Sequence, residues 1–275
     1  MVITAEEYAR FQALLNEKTG ILLGDNKQYL VSSRLASFLK QHQLNSFTDL
    51  LSALALPSGQ SMLQQVIDRM TTNETLWFRD SFPFEYLMST ILPEQKKAGN
   101  NRVKIWCAAC SSGQEPYSIS MAIEEAMAFA GRATLPLNVD ILATDISSRV
   151  LEQAKKGEYQ SLEITRGLTP QRQKQFFDKL DNVYRLKALV KNRIRFSSLN
   201  LMQLPYLVGG PFDVIFCRNV LIYFSSELKE QVIRGLCSNL KPGGYLFLGA
   251  SESMPPTIKE FEMVRCNPGL VYRRL

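Results

Sequence analysis

The segment Asn101–Ser120, NRVKIWCAACSSGQEPYSIS, constrains the fold of this chain more than any other. An apolar run (Val103, Ile105, Trp106) meets a loop of small residues, Ala108 to Gly113. Glu115 and a helix-like stretch follow at once. A strand that passes into a helix through small residues is the building unit of an open α/β sheet, and ligands bind there, at the strand's carboxyl end. Small side chains let backbone N–H groups approach such a ligand closely. The chain therefore reads as one that carries a cofactor cleft.

The surrounding rhythm agrees. From Val103 the sequence predicts strands at Val103–Cys107, Asn138–Ala143 (ending at Asp145), Arg193–Phe196, Phe212–Cys217 and Tyr245–Gly249. Helices are expected between them at Glu115–Phe129, Val150–Lys156 (capped by Ser147 or Ser148) and Ser226–Leu240. Strand–helix alternation of this kind makes a mainly parallel sheet. Lys241–Gly244, KPGG, reads as a helix stop. Two last runs, Phe261–Cys266 and Leu270–Arg274, meet at Asn267–Gly269 as a hairpin. Residues 160–195 interrupt the alternation. There Thr169–Leu180 reads as a helix, with Tyr184–Leu189 and Lys191–Phe196 as paired strands of a small inserted subdomain.

Residues 1–75 read as a separate all-helical domain. Thr4 and Glu7 form a capping-box pattern. Tyr8, Phe11, Leu14 and Leu15 follow at helical spacing, and Gly20 and Gly24–Asp25 punctuate the end. A second helix is expected over Asn26–Gln41, with Leu30, Leu35, Phe38 and Leu39 inward and Lys27, Arg34 and Lys40 outward. A third starts at Ser46, Pro57–Gly59 breaks it, and a fourth runs from Ser61 to Met70. Residues 76–100 read as a linker to the catalytic domain, 101–275.

Charge and composition narrow the chemistry. Lysine and arginine exceed aspartate and glutamate by 32 to 26, a net charge of +6. The surplus falls mostly in Arg166–Arg195, with more at Lys96, Lys97, Arg102 and Lys104. It fits a solvated face, an acidic protein partner or nucleic acid. One histidine, His42, sits in a polar stretch read as an exposed loop. A Ser-His-Asp triad, a histidine zinc site and an imidazole general base are therefore not expected. The start MVITAEEYARF lacks a secretory h-region, and no long apolar run predicts a membrane span. The five cysteines read as reduced thiols of a cytoplasmic protein. Cys107-x-x-Cys110 has no second pair to complete a metal site, so its cysteines read as small side chains and no metal is expected.

The loop Ala108–Gly113 holds a single glycine, which excludes a dinucleotide G-x-G-x-x-G fingerprint. Asp145 suits a carboxylate that accepts hydrogen bonds from a ribose diol, or a helix cap. A parallel sheet with a closing antiparallel hairpin resembles the class I S-adenosylmethionine-dependent methyltransferases, Rossmann-like enzymes in which KPGG is frequent before the fifth strand. The resemblance sharpens to one family. TTNETLWFRD (Thr71–Asp80), WCAACSSGQEPYSI (Trp106–Ile119), ATDIS (Ala143–Ser147), FDVIFCRNVLIYF (Phe212–Phe224) and LKPGGYLFLGASES (Leu240–Ser253) resemble the CheR family, the chemotaxis receptor glutamate methyltransferases.

That resemblance implies S-adenosyl-L-methionine as cofactor, S-adenosyl-L-homocysteine as product and receptor glutamates as acceptors. It sets Asn73, Thr75 and Arg79 in the segment that closes over the cofactor. Glu115 falls on the glycine-loop side, Asp145 on the ribose, Asn200 and Leu201 beside the adenine, and Arg218 and Asn219 along the cleft. Arg79 and Tyr223 match the pair nearest the chemistry. Apart from the resemblance, Trp77, Phe78, Phe82, Phe84 and Tyr86 read as packing the seam between the domains, with Trp77 near the adenine. Lys27, Arg34 and Lys40 match the helix that meets the acidic methylation helices of the receptor's cytoplasmic region. The family's tether to a receptor-tail peptide uses a glycine-bearing turn, whereas FFDKLDNVYRLK (Phe176–Lys187) has none, so no tether is expected. The chain is then a cytoplasmic monomer that neither inserts into membrane nor binds nucleic acid. A nucleic-acid methyltransferase is the alternative that the basic charge prompts, but C-R-N-V (Cys217–Val220) stands where such enzymes carry N/D-P-P-Y/F. A module that senses the cofactor without turnover is a third reading.

The chemistry fits independently of the resemblance. A free glutamate, with a pKa of about 4.3, is already ionised at neutral pH, so no general base is needed. What remains is in-line approach to a sulfonium and desolvation of a weak nucleophile. Arg79 can hold a carboxylate in a planar fork, that of the cofactor's amino-acid end in preference to that of the substrate.

Overall fold

The computed structural model describes residues 2–130, 138–266 and 268–275. Four helices open the chain: α1 (Ala5–Thr19), α2 (Gln28–Gln41), α3 (Phe47–Ala55) and α4 (Gln60–Met70). Their boundaries follow local chemistry. Thr4 and Glu7 close a reciprocal capping box on α1, and Gly20 ends it at φ 75°. The Ser46 hydroxyl accepts the Asp49 N–H to start α3. Phe11, Val31, Leu35, Phe38 and Phe47 bury into one core. Leu30 stays half-buried, and Val31 takes the core position instead. His42 is the C-cap of α2 rather than an exposed loop residue, with its ring 4.3 Å from that of Phe38.

Residues 76–100, the segment read as a linker, are largely helical. They hold α5 (Phe82–Tyr86), a π turn (Leu87–Ile91) and α6 (Leu92–Lys97) in one continuous rod. Pro83 sits in the first turn of α5, where a missing N–H costs nothing, and Pro93 follows just after the π turn. The reason is packing: Phe84, Leu87, Ile91 and Leu92 bury in the core of the large sheet.

The second half begins with β1 (Arg102–Ala108), α7 (Gln114–Ala130), β2 (Asn138–Asp145), α8 (Ser148–Lys156), β3 (Glu158–Gln160), α9 (Ser161–Thr165) and α10 (Pro170–Phe176). It continues with β4 (Phe177–Leu180), β5 (Val183–Leu186), α11 (Ala188–Lys191), β6 (Ile194–Ser198), β7 (Phe212–Cys217), α12 (Ser226–Asn239), β8 (Leu240–Leu248), β9 (Phe261–Arg265) and β10 (Leu270–Arg274). The large sheet has seven strands in the order β6-β2-β1-β7-β8-β10-β9. β6, β2, β1, β7 and β8 run parallel, and β10 lies antiparallel to both β8 and β9. This is the Rossmann-like methyltransferase layout with its closing hairpin. The turn expected at Asn267–Gly269 includes Asn267, outside the described residues; beside it Cys266 N–H donates to Gly269 O at 2.9 Å. The sheet's order reverses between β1 and β7, and there the loops after the two strands diverge and leave a crevice.

The inserted segment differs from its expectation. Phe177–Leu180 is a strand, not the end of a helix, and it pairs with β5 across Asp181–Asn182. β3 completes a three-stranded antiparallel sheet. Residues 194–198 join β2 in the large sheet instead of pairing with β5. Burial decides this: Phe177 and Leu186 face each other and sink with Trp77, Tyr159 and Phe176 into a separate core. α12 stops at Asn239, as KPGG implies, but the strand expected from Tyr245 begins already at Leu240 and so takes in KPGG itself. KPGG forms an irregularity inside β8, between the pairs Phe212–Leu240 and Val214–Tyr245, a position that tolerates proline in a sheet. Lys241 Nζ spans it to the buried Asp213 carboxylate at 2.6 Å.

Candidate active site

A cleft of about 270 Å³ opens at the carboxyl ends of β1, β2 and β7. Three polypeptide segments wall it: the loop after α1, the crossing residues 70–79, and the sheet-edge loops. Asn73, Thr75, Arg79, Glu115, Asp145, Asn200, Leu201, Arg218, Asn219 and Tyr223 all line it. Residues spread over 150 positions of sequence are thus brought to one cavity by the crossover topology.

The sheet-side wall is under backbone strain. Ala109 and Ser111 after β1 take φ of 64° and 50°, and Asn219 after β7 takes 59°. Phe78 and Asp80, on either side of Arg79, take 51° and 62°. Left-handed conformers of non-glycine residues cost of order 1–3 kcal/mol each and persist where the surroundings over-determine them. Gly113, at φ 94°, sits where a Cβ would lie 3.0 Å from Ala154 and Tyr117. It lets the loop turn into α7.

Asp145 organises this wall. It is 6% exposed, and its carboxylate accepts Ser111 N–H at 2.8 Å and Ser147 N–H at 2.9 Å. Burial pushes its carboxyl above the ordinary aspartate range, while the backbone N–H groups of Ser147, Ser111 and Ile146 pull it back. Each oxygen keeps lone-pair capacity for a further donor. Ser147 occupies the N-cap of α8 with no side-chain cap bond. Its hydroxyl has no partner among the described residues.

Arg218 is not a free cleft cation. It is buried, and its guanidinium donates to Glu115 at 2.9 Å, to the Asp80 carboxylate at 2.7 Å and to the Arg79 carbonyl at 3.0 Å. It thereby pins the strained turn that presents Arg79. Glu115 is raised by burial and lowered by Arg218, with a net upward shift. Arg79 itself makes no ion pair among the described residues; its only contact is a long one, 3.5 Å, to Glu74 O. A half-exposed guanidinium, with no ion-pair contact among the described residues, therefore stands near Glu115 and within reach of an anion.

Asn200 and Arg34 line the cleft and also brace it. Asn200 gives its amide to Lys18 O at 2.8 Å and accepts Met202 N–H. Arg34 donates to Met70 O at 2.7 Å and so ties α2 to the crossing segment. Lys27 is exposed at the cleft's edge. Lys40 is exposed at the far end of α2, about 20 Å away at 1.5 Å per residue, so the three cations do not form one patch. Trp77 lies away from the cleft: it packs edge-on to Tyr159 and Phe177 and donates its indole N–H to Glu163 O. Cys107 and Cys110 are fully buried, and burial drives both thiols well above their usual range. Among the described residues no cluster of histidine, cysteine or carboxylate side chains could hold a metal, and no helix is long and apolar enough to cross a membrane.

Sequence reasoning missed the helical domain's share. Thr19, Ile21–Gly24 and Leu30 form the opposite wall. Leu22 N–H donates to Tyr223 O at 2.9 Å. Tyr8 and Gln12 hold this loop by its Gly24 and Leu23 carbonyls. Gln64 reaches Ile146 O at 2.9 Å, and Ser148 donates to Asp68 at 2.7 Å. The only sequence signal was the pair of glycine punctuations, Gly20 and Gly24, which read equally well as an ordinary helix connection.

The cavity suits an S-adenosyl donor: a buried carboxylate with spare acceptor capacity at the β2 end, and a free guanidinium at the other side. Comparison with known proteins agrees. Residues 6–71 match the family profile "CheR methyltransferase, all-alpha domain", and residues 73–270 match "CheR methyltransferase, SAM binding domain". The chain is 48% identical over 275 residues to the chemotaxis protein methyltransferase of Vibrio parahaemolyticus, covering 99% of this chain and 98% of that one. It is 47% identical over 269 residues to chemotaxis protein methyltransferase 1 of Pseudomonas aeruginosa, covering 97% of each. The Escherichia coli chemotaxis protein methyltransferase is 32% identical, over 96% of this chain and 90% of that one. With both of its domains matched and near-complete coverage of such relatives, the chain belongs to the CheR methyltransferase family and has that family's S-adenosylmethionine-binding domain.

Proposed function

We propose that this protein transfers a methyl group from S-adenosyl-L-methionine to glutamate side chains in the cytoplasmic helical region of chemoreceptors, forming methyl esters. The observation that carries the reading is the presence of a buried, hydrogen-bond-accepting Asp145 and of Arg79, which makes no direct ion pair among the described residues, in one cleft that no imidazole lines. The donor supplies an electrophilic methyl on a sulfonium. Asp145 accepts hydrogen bonds from its ribose diol, and Leu201 and Asn200 border its adenine. Asn73, Thr75 and Glu115 contact the remainder, with Arg218 and Asn219 holding that wall in place. Arg79 orients a carboxylate, that of the donor's amino-acid end. Tyr223, which lines the same cleft, positions the acceptor oxygen or the methyl.

The reaction needs no base because the acceptor arrives ionised. The residues therefore act by orientation and by excluding water, which is worth several orders of magnitude in rate when the geometry is held. The relatives' names, chemotaxis protein methyltransferases, support a receptor acceptor. Lys27 is the remaining cation at the cleft's edge to meet an acidic helix. The β4–β5 hairpin turns through Asp181–Asn182 without glycine, which supports action without a receptor-tail tether. We read the protein as a cytoplasmic monomer.

Incubation with tritiated donor and receptor-bearing membranes tests this. Radioactive methanol released by mild alkali is the expected result. Base-stable label on protein, or label on RNA or DNA, contradicts it. Tight binding of a receptor-tail peptide would contradict the tether-free part alone.

A further inference from the structure

The loop that carries Arg218, Asn219 and Tyr223 lies beyond β7 and outside its strand pairing. β7 stops at Cys217, and a 3-10 turn begins only at Leu221. One carboxylate holds the gap. Glu252 Oε2 accepts the Asn219 N–H at 2.8 Å and the Gly249 N–H at 2.7 Å, while Oε1 accepts the Ile222 N–H at 3.3 Å. Hydrogen bonds to an ionised acceptor are roughly twice as strong as neutral ones. Asn219, one of the bonded residues, is held at φ 59°. The approach is tight: a Cβ on Gly249 would lie 2.7 Å from Glu252 Oε2 and 2.8 Å from Asn219 N.

Glu252 does not line the cleft, so it touches neither donor nor acceptor there. Tyr223 is fixed from the helical domain by the Leu22 bond to its carbonyl. From the sheet side its loop is fixed by Glu252. We propose that Glu252 is a positioning residue for methyl transfer: its carboxylate sets the conformation of residues 218–223, and so places Tyr223 for the reacting geometry. This rests on the methyltransferase reading of the cleft. It predicts that Glu252 governs turnover rather than donor affinity, because Asp145 and the β1 loop are bonded independently of it.

The test uses the full-length protein and four variants: Glu252→Gln, Glu252→Asp, Tyr223→Phe and the double Glu252→Gln, Tyr223→Phe. Glutamine keeps the size but replaces one accepting oxygen with an NH2 group, which only donates. The expected kcat loss is about 100-fold, the scale of a one-ångström misplacement. The donor Kd by calorimetry should move by less than about twofold, the mark of an interaction felt only in the transition state. Glu252→Asp keeps the charge on a shorter arm and should recover part of the loss, which also keeps the proposal testable if the glutamine variant does not fold. The double variant should be scarcely slower than Tyr223→Phe alone, since residues acting as a unit are non-additive. Unchanged kcat in Glu252→Gln, a parallel loss of donor affinity, or losses that multiply in the double variant overturns the proposal. Absence of base-labile ester from the unaltered protein overturns the methyltransferase reading itself, and so separates the two failures.

Discussion

The two walls of the cleft are built by opposite rules. The helical wall is relaxed: its helices start and stop on caps, its core is aliphatic and aromatic, and its cleft-facing loop is held by ordinary side-chain-to-carbonyl bonds. The sheet-side wall is strained. Of the seven non-glycine residues with positive φ among those described, five (Phe78, Asp80, Ala109, Ser111 and Asn219) lie in the loops of that wall. Four of them are held by a bond from outside: Ser118 under Phe78, Arg218 under Asp80, Asp145 under Ser111, Glu252 under Asn219. The lesson is that stability and chemistry are partitioned, with the helical domain supplying a rigid roof and the sheet edge storing the conformations a reacting site needs.

Substitutions can break that contrast. Phe11→Ala in the fully buried helical core should lower the unfolding free energy by about 3–5 kcal/mol in urea titrations, through lost burial and a cavity. Arg79→Ala should leave stability within about 0.5 kcal/mol, as expected for a half-exposed residue without a partner. Methyl transfer by the same variant should fall about 100-fold. Near-normal turnover would show that the guanidinium only supports the turn.

Acidification should separate the walls further. Asp145 is shifted upward by burial, so the folded protein holds its proton more tightly than the unfolded chain. The donor-free protein therefore loses stability as pH rises from the ordinary aspartate range through that raised value. Donor binding needs the ionised form and runs the other way, weakening about tenfold per pH unit below the raised value. Calorimetry across mildly acidic pH should show this limb in the unaltered protein and not in Asp145→Asn. The smallest effect is Ala109→Gly. Glycine relieves φ 64° and should raise stability by about 0.5–1 kcal/mol.

Much of the architecture was legible because local signals and burial agreed. β7 falls on Phe212–Cys217 as its run of apolar residues dictates, and every one of its residues is buried. The capping residues Thr4 and Ser46 fixed two helix starts. Where expectation failed, long-range packing had overridden a local cue. Phe177 leaves a helical run to meet Leu186, and the last parallel strand starts at Leu240, ahead of the KPGG bulge over Asp213, rather than at Tyr245. The site was legible in its residues but not in their division of labour. Arg218, Asn200 and Arg34 look like ligand contacts in sequence; each lines the cleft and also makes bracing bonds that the sequence does not show. Asp80 and Glu252 gave no sequence signal because their partners are backbone groups or lie far along the chain.

The account stands or falls on what Asp145 holds. Calorimetric titration of S-adenosylmethionine into the unaltered protein and into Asp145→Ala measures this directly. A ribose bonded to that carboxylate predicts an affinity loss of at least about tenfold, the worth of one charge-assisted hydrogen bond, with the fold intact by circular dichroism. Equal affinities in the two proteins would contradict it.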